Sequence, residues 1–179
     1  MNEQHIKKAY LAGGCFWGLE ELFRTQPGII DITAGYTGGT IENPTYENHG
    51  RASMDTARHD FVKSHAEALE IVYDEQVTSF WKLLDFFFQI HNPTTLNQQG
   101  NDVGTSYRSA IFYQNDQEKK QAEDFIKIVN DSARWDHPVV TTLEPFTAFW
   151  KAEDYHQDYL QKNPGGYTCH AIYFDSYLK

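Results

Sequence analysis

Cysteine is scarce in this chain of 179 residues: there are two, Cys15 and Cys169, far apart in sequence. So small a set excludes a disulfide-stapled scaffold, and in a reducing compartment such a pair points to redox catalysis or chance rather than to a structural crosslink. Positive charge is also short. Lys and Arg number 15 against 25 Asp and Glu, a formal charge of −10, which repels nucleic acid phosphates and anionic lipid and argues against either partner. No apolar run reaches the span of a membrane helix, and the N-terminal MNEQHIKK is polar with no signal-type apolar stretch behind it. The sequence therefore reads as that of a soluble, cytoplasmic protein. Metal-ligand spacings of the Cys-x-x-Cys or His-Glu-x-x-His kind are missing, so the eight histidines are read as core or surface residues and not as a metal site. No repeat, low-complexity tract or linker divides the chain, and residues 1–179 are expected to form one domain around one core.

What the chain does have is aromatic residues, 15% of the total, and readable periodicity. A strand is expected near 7–13, a helix from about 15 to 24 stopped by Pro27 and Gly28, and a strand at 29–36 with Ile30, Ile32, Ala34 and Tyr36 on one face. Residues 65–73 alternate again. Ser79 caps a helix whose Phe80, Leu83, Leu84, Phe87 and Phe88 form a core-facing stripe. A short strand at 109–113 follows, then a helix capped by Asn115 or Asp116 and carrying Ala122, Phe125, Ile126 and Val129, an extended stretch at 141–150, and a short helix at 153–161 ending at Asn163-Pro164-Gly165-Gly166. The order β-α-β-β-α-β predicts an α/β (α+β roll) fold: a mixed, largely antiparallel sheet with a split βαβ, ferredoxin-like core and packed helices. Two polar connections, 37–64 and 92–107, are long enough to be functional, and the tail from about 161 is a third, flexible candidate.

Cys15 occupies the run Gly13-Gly14-Cys15-Phe16-Trp17-Gly18. A thiol at the first turn of a helix faces unpaired N–H groups and the positive end of the macrodipole, which lower its pKa and suit it to act as a nucleophile. The glycines leave the sulfur approachable, and Phe16 and Trp17 put aromatic surface beside it for an apolar substrate group. A small buried cysteine closing the turn is the plainer alternative. Glu67 shares a strand face with Leu69, Ile71 and Tyr73, so its carboxyl is expected to be half-buried with a raised pKa, as a proton donor near neutral pH requires. Its alternative is a place at the exposed strand end or a pairing with a base. Tyr46, Asp102 and Tyr107 lie in the long polar connections; phenols there can donate to a substrate oxygen and an aspartate can orient a water or an amide, or each is simply a loop residue. Cys169, behind Gly165-Gly166, is placed on a movable segment able to reach an oxidised first thiol, or is an inert tail cysteine. A Cys–His hydrolase using His65, His156 or His170 stays open, since no spacing singles out the base.

GCFWG at 14–18, GYTGG at 35–39, NPTY at 43–46, HAEA at 65–68, QGNDVGTSYRS at 99–109 and NPGGYTCH at 163–170 follow one another over nearly the whole chain. In this combination the sequence resembles the A-type peptide methionine sulfoxide reductases. The resemblance implies that Cys15 attacks the sulfoxide sulfur while Phe16 and Trp17 hold the terminal methyl group. Glu67 would protonate the oxygen, with Tyr46 and Tyr107 donating hydrogen bonds to it and Asp102 ordering the polar side of the pocket. It further implies a Cys15 sulfenic acid, resolved by Cys169 as a Cys15–Cys169 disulfide that a thioredoxin-type dithiol reduces. Action on the S epimer, free or in peptides, an α/β roll around a mixed sheet, and no metal or organic cofactor are implied likewise. The sequence departs from the family in a longer stretch between Asn48 and Ser64, with Ser64 where a glycine is common, and in offering only Cys169 as a second thiol. A hydrolase would need no reductant, and a module that merely binds methionine-containing peptides would not need Cys15; a second thiol and a glutamate on a buried face serve neither.

Overall fold

The computed structural model describes residues 5–51, 53–55 and 60–178. The chain runs β1 (Ile6–Gly13), α1 (Phe16–Phe23), β2 (Ile29–Thr37), β3 (Ser53–Asp55), β4 (Asp60–Val62), β5 (Ala66–Asp74), α2 (Phe80–Ile90), β6 (Gln98–Gln99), β7 (Asp102–Val103), β8 (Ser109–Tyr113), α3 (Asp116–Asp131), β9 (Thr142–Pro145), β10 (Phe149–Lys151) and α4 (Tyr159–Lys162). The helix starts follow capping chemistry. Ser79 accepts the Lys82 N–H at 3.3 Å, and Asn115 accepts the Glu118 N–H at 2.9 Å, each satisfying a donor that the helix leaves open.

A six-stranded mixed sheet in the order β10-β2-β5-β1-β8-β9 forms the body. All its pairings are antiparallel except β8 with β9. The stretch at 141–150, read from sequence as one extended segment, supplies both edges: β9 lies against β8 and β10 against β2. Pro145 and Phe149 are four peptide units apart, a reach of about 14 Å at most, whereas six flat strands would set the edges about 24 Å apart. The sheet is therefore strongly curved, and the connection crosses its inner side. There Phe146 stacks on Tyr10 at 3.8 Å, and with Phe149 covers the small residues Ala12, Ala66, Ala68 and Ala110.

On the other face α1, α2 and α3 bury Leu11, Phe16, Leu19, Phe23, Leu69, Ile71, Leu83, Phe87, Phe88, Ile111 and Phe125 in one core. Each such side chain contributes about 1.5–3 kcal/mol relative to exposure. Two expectations need correction. A bulge in β2 between Ile29 and Asp31 adds one residue against β5, so Ile30 is 48% exposed and does not share the core face with Ile32 and Ala34. The helix expected at 153–161 is broken into a 3₁₀ turn at Asp154–His156 and the single turn α4. Gln157 causes the break: its amide accepts from Ala34 N–H at 2.9 Å and donates to the carbonyls of Ala34 and Ala152, and Asp158 then turns left-handed (φ 54°) with its N–H on the Glu20 carboxylate.

Helix α2 is buried beyond its predicted stripe, at Asp85, Phe86 and Ile90 as well. The reason is the C-terminal segment, which has no helix or strand after α4 but lies along this helix. Tyr173 N–H donates to the Gln89 carbonyl at 2.8 Å, and Asp85 accepts from Ser176 Oγ at 2.6 Å and from Tyr177 N–H at 2.7 Å. Replacing Asp85 by Ala strands the buried Tyr177 N–H. The expected cost is about 1–3 kcal/mol in urea unfolding, with faster amide exchange at 173–177 and unchanged helical circular dichroism; an unaltered midpoint would refute this clasp.

Candidate active site

β1 ends at Gly13, and the chain turns into α1 through Gly14 and Cys15. Gly14 has φ +103°, and a Cβ there would sit 2.5 Å from the Gln99 side chain, so only glycine serves. Cys15 is the N-cap of α1 (φ −52°, ψ 124°) but makes no side-chain cap. The first amide is used otherwise: Phe16 N–H donates to the Glu67 carboxylate at 3.2 Å. The expected lowering of the thiol pKa is not what results. Cys15 is 7% exposed, and burial, reinforced by the charge of Glu67, pushes its pKa well above the ordinary thiol value against the smaller pull of the Trp17 amide. The resting sulfur is a thiol.

Glu67 sits mid-sheet on β5, opposite Tyr36 of β2, and is 1% exposed. Burial raises its pKa, opposed by His49 and by the Phe16 amide. His49 Nε2 stands 3.4 Å from Glu67 Oε1. Tyr46, from the connection after β2, is 40% exposed; Tyr107 lies at the end of a 3₁₀ turn, Thr105–Tyr107. Burial and the nearby Glu67 charge hold both phenols above the usual tyrosine range, so both are protonated donors. The longer stretch between Asn48 and Ser64 leaves this arrangement intact. His65 N–H donates to the His49 carbonyl at 2.8 Å, so the excursion departs and returns at one point and carries the β3–β4 hairpin outside it; residues 52 and 56–59 within it lie outside the described residues. Tyr46 itself is fixed by its N–H to Glu153 at 2.9 Å.

The two aromatics after Cys15 differ in kind. Phe16 is fully buried, packed on Tyr36 and His156, so it forms the floor of the site, while half-buried Trp17 presents surface. Trp17 is held by stacking on Tyr159 at 3.7 Å and by its indole N–H on His156 Nδ1 at 3.1 Å.

Asp102 opens β7, paired with Gln99 across a two-residue turn. Its Oδ2 is buried without a hydrogen-bond partner. The Cys169 sulfur lies 3.5 Å from His170 Nδ1; burial, reinforced by the Asp102 carboxylate, raises its pKa to about 12. Both cysteines are free. The segment carrying Cys169 rests on α1: a Cβ on Gly18 would meet Thr168 Oγ1 at 2.3 Å and His170 Nδ1 at 2.5 Å, and His170 Nε2 donates to the Gly13 carbonyl at 2.7 Å.

The sequence-predicted residues Cys15, Phe16, Trp17, Tyr46, Glu67, Asp102, Tyr107 and Cys169 thus converge at the helix start. None of the three histidines of the hydrolase alternative offers a hydrogen bond to Cys15: His65 is occupied by Gly39 N–H and the Ile41 carbonyl, the lone pair of His156 by the Trp17 indole, and that of His170 faces the Cys169 sulfur at 3.5 Å while its Nε2 donates to Gly13. Sequence reasoning missed His49, which no spacing marks, and Glu153, which accepts both Tyr36 hydroxyl and Tyr46 N–H.

The family model described as peptide methionine sulfoxide reductase matches residues 7–176. The peptide methionine sulfoxide reductase MsrA of Mycobacterium leprae is 54% identical over 172 residues, covering 96% of this chain and 90% of the relative; that of Nocardia farcinica is 53% identical over 164 residues, covering 92% and 89%. Among solved structures, Mxr1 of Saccharomyces cerevisiae in reduced form matches with TM-score 0.79 at 37% identity, covering 94% of this chain and 92% of that one. Mxr1 in complex with Trx2 matches with TM-score 0.61 at 26% identity, covering 96% and 92%. With a cysteine at an uncapped helix start, a buried carboxyl on its first amide and a second thiol beside it, the chain belongs to the peptide methionine sulfoxide reductase family.

Proposed function

We propose that the protein reduces the S epimer of methionine sulfoxide, free or in proteins, to methionine, and so repairs oxidative damage. The observation that carries the reading is the Glu67 carboxyl, buried and raised in pKa, bound to the first amide of the helix that Cys15 begins. Cys15 sulfur attacks the sulfoxide sulfur as Glu67 protonates the oxygen, with the Tyr46 and Tyr107 hydroxyls donating to that oxygen and Asp102 ordering the polar side of the cleft. Trp17, above the Phe16 floor, holds the methyl group. Thiol and sulfoxide become sulfenic acid and sulfide, the thiol proton replacing the one Glu67 has given. Protonation of the oxygen draws electrons from sulfur, which lets a partly protonated nucleophile react; this offsets the raised thiol pKa. Cys169 then attacks the Cys15 sulfenic acid, forming a disulfide and releasing water, and a thioredoxin dithiol reduces that disulfide by exchange. Thioredoxin is the reductant in this scheme on the support of the solved complex of Mxr1 with Trx2.

The remaining parts of the proposal rest on placement. The chain is one catalytic domain, with the arm from about 161 moving Cys169 against Cys15 while the clasp at Asp85 holds its far end. The four central strands form two interleaved split βαβ units, ferredoxin-like in order: β5 lies between β1 and β2, and β1 between β5 and β8. A cytoplasmic location is supported by the presence of only two cysteines, too few for a disulfide scaffold. No helix among the described residues is long and apolar enough to cross a membrane.

Assays with separated epimers of a blocked methionine sulfoxide test the reaction: S alone is reduced with thioredoxin, and Cys169→Ser releases about one methionine per enzyme and then stops. Reduction of neither epimer overturns the reading. Glu67→Gln is expected to slow the single turnover by about 10²–10⁴-fold. Gly18→Ala pushes Thr168 and His170 off α1, so thioredoxin-driven cycling falls by more than the first methionine release.

A further inference from the structure

Glu67 has a neighbour that this scheme leaves idle. His49 is 5% exposed, its ring stacked on Tyr36 at 4.6 Å and on Tyr46 at 5.6 Å. Nδ1 lies 2.9 Å from the Tyr46 carbonyl oxygen. A carbonyl only accepts, so Nδ1 carries a proton, and in the neutral ring Nε2 is then a lone pair. That lone pair faces Glu67 Oε1 at 3.4 Å and has no other hydrogen-bond partner. Two bare acceptors opposed in the interior repel each other, whereas one proton between them satisfies both.

We infer that His49 and Glu67 jointly hold a single proton, and that His49 is the positioning residue that keeps this proton on the carboxyl facing the substrate and takes part in restoring it. The inference rests on the reading of Glu67 as the proton donor. The balance closes without any further reagent. The pair gives its proton to the sulfoxide oxygen, the Cys15 S–H bond breaks as the sulfur–sulfur contact forms, and that proton returns to the pair, which ends as it began. His49 reaches the active centre only through Glu67.

The other titratable groups around the ring are accounted for. His65, from the start of β5, accepts from Gly39 and donates to Ile41; His156, after β10, accepts from Trp17. Both are lowered in pKa by burial and are neutral. Tyr36 donates to Glu153, and Arg108, the nearby cation felt by His65, is paired with Glu144. A charged His49 would pull the Glu67 pKa down, whereas a neutral ring whose bare Nε2 faces the carboxyl, as the Nδ1 contact to the Tyr46 carbonyl requires, lets the carboxyl keep its proton to higher pH than a carboxyl without such an acceptor. Loss of His49 therefore costs most on the basic side.

His49→Asn tests this, because an amide N–H can still serve the Tyr46 carbonyl while nothing replaces Nε2. Single-turnover methionine release in the Cys169→Ser background should fall by no more than about threefold near pH 6 and by tenfold or more near pH 8.5. Equal slowing at every pH, or none, overturns the pairing. ¹⁵N spectra of histidine-labelled wild type read the same point independently of activity and of the variant's folding. A ring protonated at Nδ1, neutral or doubly protonated, is expected at His49; a neutral ring protonated at Nε2 overturns the inference. Glu67→Gln separates the two levels: full rate in that variant removes the donor reading itself, whereas a slow Glu67→Gln beside a pH-independent His49→Asn removes only the pairing.

Discussion

The contact between Glu67 and the Phe16 N–H is the constraint on which the site depends. α1 starts without a side-chain cap, so its first amides need partners, and a buried carboxylate from the neighbouring strand supplies one. Meeting that need places Glu67 under the helix, out of water, where its proton is held more tightly. The same burial and the same charge push the Cys15 thiol up. Burial thus shifts both groups of the site the same way, each toward its protonated form.

Sheet and loops divide the remaining work. Adjacent strands of one curved sheet bring Gly13, Tyr36 and Glu67 to a common end, so the helix start and the acid share a rigid support. The connections add the polar side chains Tyr46, Asp102 and Tyr107, and each is fixed by a defined contact: Tyr46 by Glu153, Asp102 by the β6–β7 pairing, Tyr107 by its turn. The second thiol lies on a segment without regular structure, held at His170 and again at Asp85 but free of sheet pairing between them. Such a segment can shift a sulfur by a few ångströms without unfolding anything around it.

Much of this was legible in the chain. The alternation at 65–73 put Glu67 on the core face with Leu69 and Ile71, and the strand-glycine-cysteine-helix run put Cys15 at the start of α1. Ser79 and Asn115 announced the helices they cap. Local pattern failed where a partner from far away decides. Ile30 alternates correctly with Ile32 yet points outward, because the bulge that turns it exists only in the pairing of β2 with β5. Helical spacing at 153–161 was overridden by Gln157, whose amide completes the edge of β2.

By itself the sequence determined which chemistry is available: one thiol at a helix start, one carboxyl on an apolar strand face, a second thiol behind a glycine pair, and too little positive charge for nucleic acid. These are properties of short stretches, written in periodicity of two or 3.6 residues and in the needs of a helix end. The tertiary structure alone decided the protonation of those groups and their neighbours. Burial, not the helix end, governs the Cys15 thiol, since desolvation in the closed core outweighs one amide hydrogen bond. His49 meets Glu67, and Cys169 packs against the turn at Gly100, because a curved sheet and a returning loop bring residues distant in sequence within contact, which no local pattern encodes.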